Sequence, residues 1–384
     1  MIVGVPGEQV AGERRVALLP ETAAALIKSG FEVLVAQDAG RGAMADDAAY
    51  GQAGAVVTGR EDVLARADVV LWVQPGDADL SGLKHGQVGI GFLDPLRQAA
   101  RLAGAAATGA TWLALELVPR TTKAQRADAL SAMATLAGYK AVLLAASHLP
   151  RVFPLLMTAA GTLLPARVFV LGAGVAGLQA IATAKRLGAK VSAFDVRPEA
   201  REQVASVGGR FIELPLEGAA GEGGYARAMD ETYYRRQREL LAEVLQASEV
   251  AITTAQVPDG PAPLLLTHAM MAAMPKGSVV VDLAANQGGN CEGVLPDQTV
   301  MVGATTLVGA GNLPGTIAVH ASQMLGRNMQ AILTFLAPRN QLALDDEVIQ
   351  AMVVTRDGAV VHRGVAQRLR VQPADDNTAG EERP

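Results

Sequence analysis

Residues 168–195 read VFVLGAGVAGLQAIATAKRLGAKVSAFD, and the order of residue types in this stretch decides the fold. An apolar run, Val168 to Leu171, leads into Gly172-Ala-Gly174-Val-Ala-Gly177. A helical pattern follows and closes at Gly188, and a second apolar run, Val191 to Phe194, ends on Asp195. Strand, glycine turn, helix, strand and acid follow one another as a dinucleotide site requires. Gly172 permits a sharp turn out of the strand, Gly174 lets backbone approach a diphosphate, and Gly177 lets helix pack on sheet. The helix N-terminus, at Val175 and Ala176, offers unpaired N–H groups and a positive dipole end. Asp195 suits the two hydroxyls of a ribose and repels a 2′-phosphate, which favours NAD(H) over NADP(H). A tight strand-to-helix turn without a ligand is the alternative.

The rest of the chain agrees with an α/β protein. Its 384 residues allow two or three domains, and it is 50% hydrophobic with 4% aromatic residues. A formal net charge of −5 leaves no broad basic face for nucleic acid. Arg235-Arg236-Gln237-Arg238 reads as one solvated helix face. A single cysteine, Cys291, excludes an intrachain disulfide, fits a reducing cytoplasm and reads as a small buried residue. The N-terminus carries no signal-peptide pattern. The longest uncharged apolar stretch, Val152 to Ala166, is short and holds Pro154 and Pro165, so no transmembrane segment is expected. None of the five histidines has metal-ligand spacing with another His or Cys, so no metal is expected.

Strand and helix patterns alternate from the start: strand 2–5, helix 20–29, strand 31–36, helix 46–53, extended 56–57, helix 60–67, strands 69–73 and 88–92, helix 95–103 and strand 111–115. Alternation of this kind predicts a doubly wound parallel sheet. This first unit lacks a glycine fingerprint and is not expected to hold the nucleotide. A long helical pattern over 124–149 leads to the fingerprint domain. That domain has later strands at 250–253, 279–282, 300–302 and 306–308, and a second long helix is expected over 317–336. The expected fold is therefore two Rossmann-like doubly wound domains joined by two long helices, with a cleft between. The first domain spans 1–127 and 315–384, with its tail disordered from about 373. The second, NAD(H)-binding domain spans 128–314.

Four further segments carry candidate chemistry. Arg120 follows a strand and a proline, and Gln125, Asp128 and Ser131 are three apart, near one face of a helix start. An amide, a carboxylate and a hydroxyl beside an arginine suit the carboxamide and ribose of a nicotinamide. A capped helix start with a solvated polar face is the other reading. Glycine-rich 217–225 ends on Tyr225, which either closes over a nucleotide or packs where the next helix begins. Asp282-Leu-Ala-Ala-Asn-Gln-Gly-Gly-Asn290-Cys291 and Gly309-Ala-Gly-Asn312-Leu-Pro314 each follow a strand and should face the cleft.

These motifs together resemble the alanine dehydrogenase/transhydrogenase family. Within it they resemble the NAD(H)-binding domain I (alpha-1 subunit) of proton-translocating NAD(P) transhydrogenase. ERRVALLP, PR-x4-Q-x2-D-x2-S with LAGYKAV, TAAGT-x-x-PA, GAGVAGLQAIATAKRLGA, GGYA, AITTAQVP, DLAANQGGNCE and TRDGAVVH carry the likeness. The resemblance implies that Gln125 sits between two nicotinamide rings, with Arg120, Asp128 and Ser131 beside it, and that Tyr225 is the mobile-loop tyrosine. The implied cofactor set is Gly172, Gly174, Val175, Ala176, Gly177, Asp195, Val196, Arg197, Tyr225, Thr254, Ala255 and Asn312. It implies a homodimer that docks on a membrane subunit and on an NADP(H)-binding beta subunit at the cytoplasmic face of the inner membrane. There, hydride passes from NADH to NADP+ and the reaction is coupled to proton movement.

The chain departs from the family in two respects. Alanine dehydrogenases carry a substrate-binding lysine and histidine where this chain has Trp72 and Phe92, and Gly7 stands where a basic residue is usual. Reduction of an imine or ketone moves a proton with the hydride and needs a general acid. Transfer between two nicotinamides moves no proton at the reacting carbons and needs positioning alone. The missing acid therefore favours the transhydrogenase subunit. An alanine dehydrogenase-like enzyme and a non-catalytic NAD-binding homologue are the alternatives.

Overall fold

In the computed structural model, residues 1–215, 229–257 and 260–371 are described. They divide into two compact units, Met1–Ala129 with the chain from Ser322 onward, and Leu130–Ala321.

The first unit opens with six strands in alternation with short helices: β1 (Ile2–Val5), α1 (Pro20–Lys28), β2 (Glu32–Ala36), α2 (Asp47–Gln52), β3 (Val56–Thr58), α3 (Arg60–Arg66), β4 (Val69–Leu71), α4 (Asp77–Gly82), β5 (Val88–Gly91), α5 (Ala99–Ala106) and β6 (Thr111–Ala114). They lie in the order β3-β2-β1-β4-β5-β6, all parallel. The apolar runs of β1, β2, β4, β5 and β6 are buried on both faces, as a parallel sheet covered by helices demands, while Val56 of edge strand β3 is exposed. In α1, Pro20 stands in the first turn, Glu21 follows it and Lys28 closes the helix, so fixed φ and charge both suit the helix ends.

The expected helix over 95–103 is shifted. Asp94 takes φ 47, and its carbonyl accepts N–H bonds from Arg97 and Gln98. That turn uses up residues 95–98, and α5 starts only at Ala99.

The second unit begins in the first turn of α6 (Ala129–His148) and continues with the hairpin β7 (Leu156–Thr158) and β8 (Gly161–Leu163), then β9 (Arg167–Leu171), α7 (Val175–Arg186), β10 (Lys190–Phe194), α8 (Ala200–Ser206), β11 (Arg210–Phe211), α9 (Glu231–Gln246), β12 (Val250–Thr253), α10 (His268–Ala272), β13 (Val279–Asp282), β14 (Thr299–Val302) and β15 (Thr305–Gly309). The sheet order is β11-β10-β9-β12-β13-β15-β14, parallel except for β14 against β15. Alternate residues of each strand face two cores. Val168, Val170, Val250 and Ile252 pack with Ala141, Val142 and Ala145 of α6 and with α7. Phe169, Leu171, Ala251 and Val280 pack with Leu241 and Leu245 of α9. Gly138 lies so close to the start of α7 that a Cβ there would run into the Ala176 carbonyl.

The long helix expected from 124 starts later. Gln125–Ala127 form a 3-10 turn, and Asp128 breaks it with ψ 87 before α6 begins. The apolar stretch 152–166 folds as the β7–β8 hairpin, with its strand residues exposed. Among the described residues, α6 alone is long and apolar enough to cross a membrane by length and composition.

From α11 (Ala318–Leu336) the chain returns to the first unit through α12 (Glu347–Met352), β16 (Val353–Arg356), β17 (Ala359–Val360) and α13 (Arg363–Val371). β16 adds to β6 antiparallel, and β17 follows it at the edge. Both units are thus doubly wound α/β layers, as the sequence led us to expect. The tail from 373 lies outside the described residues.

Candidate functional site

In an open α/β sheet ligands bind beyond the strands' C-terminal ends, where the strand order reverses. In the second unit that point lies between β9 and β12. Gly172 leaves β9 with φ +97, a conformation that L side chains avoid. A Cβ on Gly177 would collide with the Gly172 carbonyl, so only glycine lets α7 come this near to the turn. A Cβ on Gly174 would meet nothing within 4 Å. Gly174 is the N-cap of α7 and supplies no side-chain cap, so the first-turn N–H groups face this open space. A diphosphate fits such a cradle: bare backbone donors, no side chain in the way and a helix dipole behind.

Asp195 directly follows β10 and is nearly buried, with its side chain 6% exposed. Its Oδ2 accepts the Ala173 N–H at 2.7 Å, and its Oδ1 accepts the Arg197 N–H at 2.9 Å. The Arg197 guanidinium grips the same carboxylate through Nε at 2.9 Å and Nη2 at 2.8 Å. That bidentate bond raises the guanidinium above its ordinary pKa. The acid thus ties the fingerprint turn to the end of β10. Val196 lies between the two partners and is half-buried.

On the other side of β9, the Thr254 hydroxyl donates to the Gly172 carbonyl at 3.0 Å. The Thr254 N–H donates to the Leu171 carbonyl at 2.8 Å. Thr254 and Ala255 therefore stand directly against the glycine turn. Asn312 is reached through a third loop. The Asp297 carboxylate accepts the Gly311 N–H at 3.0 Å, and the Asn286 amide donates to the Gly311 carbonyl at 3.0 Å. Asn312 Oδ1 then accepts the Gly315 N–H. Asn286 belongs to the 282–291 segment expected at the cleft, whereas Asp297 was not among the candidates. Asp297 lies on an exposed turn with φ 55, and no local pattern marks it.

Cys291 is buried, and burial raises its thiol well above the ordinary value. It is a packing residue, as expected. Tyr225 lies outside the described residues.

The nicotinamide-end candidates occupy a different kind of structure from the expected helix face. Arg120 and Gln125 are exposed and Asp128 is half-buried. Gln125 lies in the 3-10 turn, and Ser131 in the first turn of α6. Buried Ala124 and Ala127 anchor the turn. The Asn328 amide of α11 donates to the Arg126 carbonyl at 2.9 Å, and Lys123 bridges Asp346 at 3.2 Å and Glu347 at 3.0 Å.

The first unit has the same strand reversal, between β1 and β4, but its crevice is filled from within. The Glu8 carboxylate accepts the N–H groups of Val73 (2.7 Å) and Gln74 (2.9 Å). Burial pushes this acid up to about 8. The Arg60 guanidinium binds the carbonyls of Pro6 and Gly7 and the carboxylate of Asp79. One crossover further on, Glu116 caps Leu93 and Asp94 in the same way, and burial pushes it up to about 7. Trp72 is fully buried against Trp112, with ring centroids 5.3 Å apart.

The alanine dehydrogenase/PNT N-terminal domain matches residues 4–137, and the alanine dehydrogenase/PNT C-terminal domain matches residues 141–363. The chain is 42% identical over 379 residues to the first part of NAD(P) transhydrogenase subunit alpha of Rhodospirillum rubrum, covering 94% of this chain and 98% of that one. It is 29% identical over 381 residues to alanine dehydrogenase of Mycolicibacterium smegmatis, covering 96% and 97%. The crystal structure of transhydrogenase from Sinorhizobium meliloti superposes with a TM-score of 0.83 at 41% identity, covering 94% and 99%.

Proposed function

This chain belongs to the alanine dehydrogenase/PNT family, and on that premise we propose that it is the NAD(H)-binding alpha-1 subunit of a proton-translocating transhydrogenase. Of its relatives, the transhydrogenase subunit is the more similar, at 42% against 29% for an alanine dehydrogenase. The observation that carries the reading is the cradle formed by Gly172, Gly174 and Gly177 between β9 and α7, with Asp195 one strand away.

The residues divide the work by position. The α7 N-terminus and the glycine turn take the diphosphate. Asp195 takes the adenosine ribose when Arg197 yields its place, and Thr254, Ala255 and Asn312 border the other half. Gln125 sets the nicotinamide ring against a second one, with Arg120, Asp128 and Ser131 holding carboxamide and ribose. Bound NADH supplies the hydride. No group of this chain moves a proton, so alignment of the two rings is its whole contribution to rate.

An NADP(H)-binding beta subunit and a membrane subunit complete the system, with this chain a homodimer peripheral to the cytoplasmic face of the inner membrane. The alanine-dehydrogenase alternative is disfavoured by the missing general acid, since Phe92 stands where that enzyme's histidine is expected.

The test is reconstitution. Purified chain should bind NADH and turn over little, and adding both partner subunits should start NADH-to-NADP+ transfer. Oxidation of NADH by the chain alone, dependent on pyruvate and ammonia, would replace this reading with the dehydrogenase one.

A further inference from the structure

We propose that Asn290 is a positioning residue for the nicotinamide half of the coenzyme, acting through Ala255. The inference rests on the cofactor reading above. Asn290 is 0% exposed and lies at the end of the Asp282–Cys291 loop. Its side-chain amide pairs with both backbone groups of one residue, the N–H and the carbonyl of Ala255. Oδ1 accepts the Ala255 N–H at 3.0 Å, and Nδ2 donates to the Ala255 carbonyl at 2.9 Å. The remaining Nδ2 hydrogen goes to the Pro263 carbonyl at 2.8 Å. The two bonds to Ala255 are those a neighbouring strand would make, supplied here by one side chain beyond the end of β12.

Asn290 is itself held rigidly. Its N–H donates to Asp282 Oδ2 at 2.7 Å, and its carbonyl accepts from Leu265 and Leu266 at 2.8 and 2.9 Å. Asp282 ends β13 and also accepts the N–H groups of Ala284 and Cys291. The position of Ala255 is therefore referred to the core of the sheet, and Ala255 carries Thr254 against Gly172.

The sheet order says which half of the ligand this loop meets. β9 lies between β10 and β12, and strands are roughly 4.8 Å apart. Asp195 at the end of β10 belongs to the adenosine side. A dinucleotide laid across the reversal must pass over the end of β12 with its other half. Displacing Ala255 should thus disturb NADH and leave AMP untouched.

The experiment is calorimetric titration of the purified full chain and its Asn290→Asp variant with NADH and with AMP. Aspartate keeps the shape but turns two donor contacts into carboxylate–carbonyl repulsion. The expected result is NADH affinity lower by about tenfold, the scale of one or two neutral hydrogen bonds, with AMP affinity within twofold. Equal losses for both ligands, or no loss of NADH affinity, would overturn the proposal. Backbone amide exchange of the unaltered chain is independent of the variant's folding. The Ala255 amide should be protected like those of β12, and rapid exchange there defeats the claim. If the unaltered chain binds neither ligand, the cofactor reading fails separately and the exchange result alone judges the clamp.

Discussion

Asp195 and Arg197, two residues apart, form a bidentate ion pair whose side chains are only 6% and 12% exposed. Two backbone N–H groups share the same carboxylate, so its acceptor positions are filled before any ribose arrives. On the proposed reading, a ribose diol takes the place of the guanidinium. Asp195→Ala should weaken NADH by about 1–3 kcal/mol, the scale of hydrogen bonds to a charged group, and should narrow the preference over NADPH because Arg197 is then released towards a 2′-phosphate. Fluorescence titration with both coenzymes checks this. Unchanged NADH affinity would remove Asp195 from the site.

Two glycines of one motif should respond differently to the same methyl group. Gly177→Ala drives a Cβ into the Gly172 carbonyl and should cost about 2–4 kcal/mol of stability, as overpacking and backbone shifts do. Gly174→Ala meets open space. It should leave the denaturation midpoint within about 0.5–1 kcal/mol of the parent while lowering NADH affinity, since the methyl occupies the diphosphate's room. Chemical denaturation beside NADH titration separates the two. A stable Gly177→Ala chain would contradict the packing described.

Gln125→Asn shortens a side chain on a turn whose backbone is anchored elsewhere, by Ala124, Ala127 and Asn328. In the reconstituted complex, hydride transfer should slow far more than NADH binding weakens. Parallel losses in rate and affinity would count against a ring-placing role.

Glu8 gives the first unit a distinctive pH response. Desolvation, opposed by the Val73 and Gln74 N–H bonds, raises its folded pKa from 4.5 to about 8. Between those values the folded chain holds a proton that the unfolded chain has lost. Its contribution is full below pH 4.5 and declines as pH rises through 8, by at most about 1.4 kcal/mol per pH unit. Glu8→Gln should flatten that decline. Urea denaturation from pH 5 to 8 compares the two chains, and identical slopes would disprove the effect.

What could be read from the sequence was local. Val168 to Asp195 carries its own signature because strand, turn, helix and acid are consecutive, and β9, α7 and β10 fall where that order puts them. The hairpin over 156–163 was illegible because Leu155-Leu156-Met157 and Leu163-Leu164 lack the alternation of a half-buried strand. Asp94 hid a turn inside a helical pattern, since only its positive φ shows that residues 95–98 are already used. Gln125 and Asp128 matched a helical spacing that Asp128, with ψ 87 between the 3-10 turn and α6, does not keep. The supports of the site were beyond reach for another reason. Asn290 meets Ala255 across 35 residues, and Glu8 meets Val73 across 65, and no periodicity encodes such contacts.

The shared strand order of the two units has a consequence for stoichiometry. Topology alone offers two berths, yet Glu8 and Arg60 occupy one of them with the protein's own donors and acceptors. A nucleotide arriving there would have to evict both and leave a carboxyl group and a guanidinium stranded, so saturation with NADH should come at one equivalent per polypeptide.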